Sequence, residues 1–177
     1  HLPAKFMLHR QMRKSGFKVA LTGEGADEVV AGYPHLRSDL FEAEGKFDLI
    51  PALHAANAAS QGIMLQHGAS LPLSAVQETL DFVPAFLRAK GTLGRKMRAV
   101  LADDFTAEFR DKDCYRDLMR SAAIEGQLRG RHRVHQSLYL WSKTALANYI
   151  LKTLGDGTEL AHGVEGRLPF LDHHLFE

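Results

Sequence analysis

The stretch VALTGEGADEVVAGY, residues 19–33, decides how this chain folds and is the first motif of the sequence. It opens on the apolar run 19–21, which with Lys18 predicts a short strand over 18–21. A turn follows at Gly23 and Gly25, whose backbones reach angles that side chains forbid. A helix is then predicted from about Asp27. Since one short strand cannot form a sheet alone, we expect it to join a parallel sheet whose other strands lie upstream.

Three carboxylates lie close together at the start of that helix. Glu24 and Asp27 are three residues apart, and Glu24 and Glu28 are four apart. Backbone N–H groups at a helix start favour phosphate, and carboxylate oxygens hold Mg²⁺ while the ion bridges phosphate oxygens. The alternative is an ordinary helix start, where acidic side chains are favourable without any ligand. The hexapeptide alone leaves both interpretations open.

A second motif, AHGVEGRLPFLDHH, covers residues 161–174. Its glycines and proline predict a loop over residues 163–172 that carries Glu165 and Arg167. One interpretation is a local ion pair that holds the loop on the core. The other is a charged group that reaches a substrate pocket.

The remainder of the chain is predicted to be mostly helical. The clearest helix covers residues 134–154, with an apolar stripe at spacings of three and four residues. Its members are Val134, Leu138, Trp141, Ala145 and Tyr149. Other helices are predicted over 36–47, 49–66 and 73–90, with Pro84 as an interruption, and 91–94 is predicted as a loop.

The composition bounds the classes of function. The chain has 177 residues, 45% of them hydrophobic, and a net charge of +1, so a nucleic-acid partner or an anionic membrane surface is not expected. No apolar run approaches the length of a membrane span. The single Cys114 excludes an internal disulfide and favours a reducing, cytoplasmic location. The chain lacks an initiating Met, and we expect it to be a piece of a larger protein.

The two motifs, about 130 residues apart, together resemble the synthetase domain of glutamine-hydrolysing asparagine synthetases. In that family the first motif typically contains Gly-Glu-Gly-(Ala/Ser)-Asp-Glu, and the second ends in Glu-(Ala/Gly)-Arg-Val-Pro-Phe-Leu-Asp. The resemblance implies an α/β fold of the adenine-nucleotide alpha-hydrolase type. Within it, residues 1–177 would be the C-terminal part of the synthetase domain, mostly α with one short parallel-type strand. The phosphate loop and the glutaminase domain would lie upstream, so the isolated chain is expected to be inactive.

The resemblance also implies a reaction. ATP and Mg²⁺ would adenylate the side-chain carboxylate of aspartate, and ammonia derived from glutamine would displace AMP to give asparagine. Glu24 matches the glutamate that takes a proton from the attacking ammonia, and Asp27 matches the aspartate that binds Mg²⁺ and pyrophosphate. A β-lactam-forming relative carries a tyrosine at the position of Glu24, so the glutamate favours amide formation. A homo-oligomer is the assembly that the resemblance allows.

The resemblance assigns further positions to the site. Those expected to line the nucleotide are Thr22, Gly23 and Gly25. Those expected to contact substrate or to hold the loop are Glu165, Arg167 and Asp172.

One departure from the family pattern leaves two alternatives open. The family usually has Asp followed by Arg or Lys before the second motif, and this chain has Asp156 followed by Gly157. The missing cation weakens the expectation of pyrophosphate binding, unless Lys152 replaces it. The first alternative is a related ligase that amidates another carboxylate. The second is a degenerate, non-catalytic interaction module.

Overall fold

A computed structural model describes residues 1–61, 63–65 and 73–176 of the chain. These residues form two compact units, one from His1–Gly32 with Leu140–Glu177 and the other from Tyr33–Tyr139. The described ranges contain no helix that is both long enough and apolar enough to cross a membrane.

Helices dominate the described residues, and two strands accompany them. In chain order these elements are α1 (Leu2–Lys14), β1 (Val19–Leu21), α2 (Ala26–Val30), α3 (Pro34–Ala43), α4 (Ile50–Ala56), α5 (Ser74–Leu80), α6 (Ala85–Arg98), α7 (Asp103–Ala107), α8 (Cys114–Ser121), α9 (Arg133–Trp141), α10 (Gly157–Leu160), β2 (Glu165–Arg167) and α11 (His173–Phe176). Short 3₁₀ turns cover Phe47–Leu49, Ala58–Ser60 and Pro169–Leu171. π-helical segments cover Ile124–Leu128 and Ser142–Asp156.

The two strands form a parallel pair in the first unit. Val19 lies opposite Glu165, and Leu21 lies opposite Arg167. The predicted strand and its parallel pairing are confirmed, and the partner seen here follows it in the chain. The further strands expected upstream stay a prediction. The loop predicted over the second motif is therefore wrong at β2. A three-residue strand of sequence Glu-Gly-Arg carries neither apolar alternation nor β-branched residues, so the sequence pattern gave no sign of it.

The predicted helix over residues 134–154 is confirmed as helical, but its winding changes after Trp141. From Ser142 to Asp156 it follows π geometry, and the N–H of Gly157 donates to the carbonyl of Lys152, five residues earlier. The buried side chains now recur at spacings of five, four and four residues: Trp141, Leu146, Ile150 and Leu154. Tyr149, predicted on the apolar stripe, is 49% exposed because the wider turns rotate it away.

The second unit is built from α3 to α8 and most of α9. Pro84 precedes α6, which confirms the predicted interruption, but the loop predicted at 91–94 lies inside α6. Gly91 is buried within that helix, so a single glycine did not end it. The helix predicted over 49–66 ends as an α-helix at Ala56 and passes into a short 3₁₀ turn, while residue 66 lies outside the described residues.

A buried carboxyl joins three elements of the second unit. Asp39 on α3 accepts a hydrogen bond from the backbone N–H of Ala85 (2.8 Å) and one from the Ser137 hydroxyl (2.6 Å). Burial is the largest cause that raises the pKa of Asp39, to about 7, although both hydrogen bonds oppose it. One turn earlier, burial, aided by the charge of Lys90, lowers the pKa of His35 to about 3.

Asp39→Asn should change how stability depends on pH. Between about pH 4 and 6.5, folding takes up a proton at Asp39 and releases one at His35, so their effects on the free energy of unfolding oppose each other. Without Asp39, only the proton release at His35 remains. The free energy of unfolding should then rise with pH, with a slope up to about 1.4 kcal/mol per pH unit steeper than that of the wild type. Urea unfolding across this window measures both slopes. Parallel profiles for the two proteins would contradict the assignment.

Candidate functional site

The strand pair places the two sequence motifs side by side. Beyond the end of β1, the N–H of Thr22 donates to the carbonyl of Arg167 (2.9 Å) and continues the ladder by one residue. The glycine turn that begins at Gly23 therefore leaves the sheet directly beside the end of β2. This pairing is the contact between distant parts of the chain that builds the candidate site.

Gly25 owes its identity to packing as well as to conformation. Its φ of +91° is in the left-handed region, and a Cβ there would lie 2.3 Å from Cδ2 of Leu171 in the second motif. A side chain at position 25 would therefore push the two motifs apart. The predicted contact of Gly25 with a nucleotide stays a prediction, and the structure supplies a packing role for the residue.

Glu24 is held by a partner that the sequence motifs did not reveal. Its carboxylate forms an ion pair with the ammonium of Lys5 on α1, and the two side chains are 23% and 28% exposed, respectively. Lys5 precedes Glu24 by nineteen residues and lies on a separate helix, so no spacing rule connected the two.

The other two carboxylates of the first motif point to different surroundings. Glu28 is buried and accepts a hydrogen bond from the indole N–H of Trp141 (2.7 Å), which makes it part of the core. Asp27 is exposed in the first turn of α2, and its Oδ1 lies over Gly32, where a Cβ would come within 2.2 Å. Of the three clustered carboxylates, only Glu24 and Asp27 thus remain accessible to a ligand.

Asp27 fits a shared magnesium site better than a self-contained one. Within the described ranges, no group of three His, Cys, Asp or Glu side chains is arranged to hold a metal ion. Mg²⁺ commonly takes one or two carboxylates and completes its shell with phosphate oxygens and water. A single exposed carboxylate beside a glycine turn suits that arrangement.

The second motif contributes an exposed ion pair and a turn. Within β2, Nε of Arg167 donates to Oε1 of Glu165 at 2.8 Å, and both side chains are about 60% exposed. The local ion pair predicted for these residues is present, but an exposed pair of this kind stabilises a fold by at most about 1 kcal/mol. Asp172 accepts a hydrogen bond from the N–H of His174 (3.0 Å) and so shapes the start of α11.

Buried polar side chains lie behind the strand pair. The Thr158 hydroxyl donates its one proton to the carbonyl of Leu154 (2.7 Å). Nδ1 of His9 lies 2.8 Å from the same hydroxyl oxygen and therefore donates to it. The carboxylate of Glu159 packs against Gly166 of β2, where a Cβ would lie 2.1 Å from Oε2. No sequence motif marks His9 or Glu159, so neither residue was predicted as part of the site.

Two further features bear on ligand binding. The hydroxyl of Thr22 is buried and has no hydrogen-bond partner within the described part of the chain, so its hydrogen-bonding capacity is unused. Two cavities of about 250 and 240 Å³ lie in the second unit, and neither is lined by a residue of the two motifs. A phosphate-binding turn at a strand end is an open surface rather than an enclosed cavity. The candidate site is therefore defined by the two paired motifs and not by a cavity.

The chain is similar in sequence to known proteins over almost its whole length. The chain is similar over residues 2–177 to the family model described as asparagine synthase. It is 28% identical over 190 residues to amidase chyE of Penicillium rubens and 28% identical over 194 residues to amidase chry2 of Gibberella zeae. In each case 98% of this chain aligns with 27% of the relative, so it spans about a quarter of their length. No solved structure matches significantly. The chain belongs to the asparagine synthase family.

Proposed function

We propose that this chain carries part of an ATP-dependent site that adenylates a carboxylic acid and transfers ammonia to it to form an amide. One observation carries the proposal: the pairing of β1 with β2 puts the Gly-Glu-Gly-Ala-Asp-Glu turn beside the Glu-Gly-Arg-Leu-Pro-Phe-Leu-Asp segment. Family membership supports the same class of chemistry.

Glu24 is the base in this proposal. When ammonia attacks the acyl-adenylate, a carbon–nitrogen bond forms and the bond from carbon to the AMP oxygen breaks, with its electron pair leaving on AMP. The nitrogen carries a positive charge until a proton departs, and a half-buried carboxylate at the turn is suited to accept it.

Asp27 is the residue that would hold Mg²⁺, together with the phosphates of ATP. When bound, the ion would offset the negative charge that develops on the departing pyrophosphate. The exposed backbone of Gly23 is the group that would line the nucleotide. The Thr22 hydroxyl, buried and unpaired among the described residues, would lie behind that backbone. Arg167, exposed at the end of β2, is the cation of the second motif that would face substrate.

The acceptor is either aspartate, which gives asparagine with ammonia derived from glutamine, or another carboxylic acid. Two observations favour the second candidate: both relatives bear the name amidase, and Gly157 occupies the position where a cation is usual. For either acceptor we propose a cytoplasmic reaction. Assembly as a homo-oligomer stays a prediction.

The test uses the complete gene product with Mg-ATP, an ammonium salt and a panel of carboxylic acids that includes aspartate. AMP and amide are quantified together by mass spectrometry. Equal amounts of AMP and amide with one acid are expected, and the identity of that acid distinguishes asparagine formation from the second candidate. If no acid in a broad panel yields AMP, the proposal fails and the interaction-module alternative gains support.

A further inference from the structure

The ion pair between Lys5 and Glu24 has a place in the amide-forming step. We propose that Lys5 is a positioning residue that fixes the carboxylate of Glu24 and keeps it ionised as the base, an inference that rests on the proposed function. Glu24 is flanked by Gly23 and Gly25, so its own backbone restrains it weakly. A contact from a separate helix supplies the missing restraint.

The helix that carries Lys5 is itself anchored. His9, one turn after Lys5 on the same face of α1, is buried, and its Nδ1 lies 2.8 Å from Oγ1 of Thr158 on α10. This hydrogen bond sets how α1 lies against α10 and therefore where the ammonium of Lys5 is placed. The lysine is thus a fixed element of the site rather than a freely moving surface cation.

The charges around Lys5 favour its ammonium form beside Glu24. Burial lowers the pKa of Lys5, and the nearby buried carboxylate of Glu159 acts in the opposite direction. The ammonium therefore pairs directly with the carboxylate of the turn and also feels the negative charge of Glu159 on α10. The other titratable groups on these elements and on the paired strands are His9, Arg10, Arg13, Lys14, Asp27, Glu28, Glu165 and Arg167.

This arrangement suits a base that accepts a proton from a positively charged nitrogen. Once the carbon–nitrogen bond has formed, that nitrogen is strongly acidic, so an ion-paired carboxylate is basic enough to take the proton. The opposite charge keeps the carboxylate ionised at pH values where an isolated one would be protonated. The rate of this proton transfer then depends more on where the Glu24 carboxylate is held than on how basic it is.

Lys5→Met should slow amide formation and move its pH profile. Loss of the restraint is expected to reduce amide formation about 10- to 100-fold at neutral pH, while pyrophosphate exchange, which does not use the base, stays within about twofold. The acidic limb of the amide-forming rate should shift upward by at least about one pH unit, because Glu24 loses its cationic partner. Lys5→Arg should restore most of the rate and the position of the limb.

The matched control is Lys14→Met, which removes an exposed lysine near the end of the same helix. A carbon-13 NMR titration of the Glu24 carboxyl gives a readout independent of turnover, and its pKa should rise in Lys5→Met but not in the control. Unchanged Glu24 titration together with an unchanged rate would overturn the role of Lys5. If Glu24→Gln itself retains amide formation, the assignment of Glu24 as the base fails instead, and the NMR result still reports on the ion pair. If no carboxylic acid yields AMP, the proposed function fails.

Discussion

Glu24→Gln should nearly abolish ammonia-dependent amide formation in the complete gene product, by about 10²- to 10⁴-fold. Glutamine has the size of glutamate and can still occupy the glycine turn, but its amide cannot accept the proton from the attacking nitrogen. Adenylation precedes that step, so pyrophosphate exchange driven by the carboxylic acid should continue. The two rates, measured on the same preparation, separate loss of the base from loss of folding.

A suitable control is Glu108→Gln, because Glu108 is exposed and belongs to the second unit, whereas the residues of the candidate site belong to the first. It should leave both rates unchanged. Amide formation at the wild-type rate in Glu24→Gln would refute the assignment of Glu24 as the base, whereas equal loss of both rates would point to a collapsed site.

Asp27→Asn should impair the earlier step. The neutral amide is a poor ligand for a hard divalent cation, and the substitution removes the one exposed carboxylate at the turn. Pyrophosphate exchange should fall by about 10²-fold or more, and the Mg²⁺ concentration needed for half-maximal exchange should rise. Exchange rates measured across a series of Mg²⁺ concentrations test both effects.

Asp111→Asn serves as the control, since Asp111 is an exposed aspartate of the second unit. Wild-type exchange with an unchanged Mg²⁺ dependence in Asp27→Asn would remove Asp27 from the metal site. In that event Asp172 of the second motif would be the next carboxylate to test by substitution.

The sequence predicted the parts of the site that local chemistry controls. An apolar run followed by alternating glycines and carboxylates predicted β1, the turn at Gly25 and the start of α2, and the structure has all three. The family resemblance paired the two motifs, and the register of β1 against β2 is the physical form of that pairing.

The parts that were missed depend on contacts between residues far apart in the chain. β2 has no strand-like pattern of its own and becomes a strand because β1 offers it a hydrogen-bonding edge. Lys5 meets Glu24 only because α1 packs on α10 through His9. The π winding after Trp141 changes the helical period, so a stripe drawn at spacings of three and four could not place Tyr149 correctly.

If an acyl-adenylate forms at the paired motifs, oxygen-18 must pass from the carboxylic acid to AMP. The complete gene product is incubated with Mg-ATP, an ammonium salt and the accepted carboxylic acid labelled with oxygen-18 in its carboxyl group. Attack of that carboxylate on the α-phosphate, followed by displacement with ammonia, leaves one labelled oxygen on AMP. We predict AMP heavier by one oxygen-18 per amide formed. Label in inorganic phosphate, or unlabelled AMP beside labelled amide, would contradict adenylation.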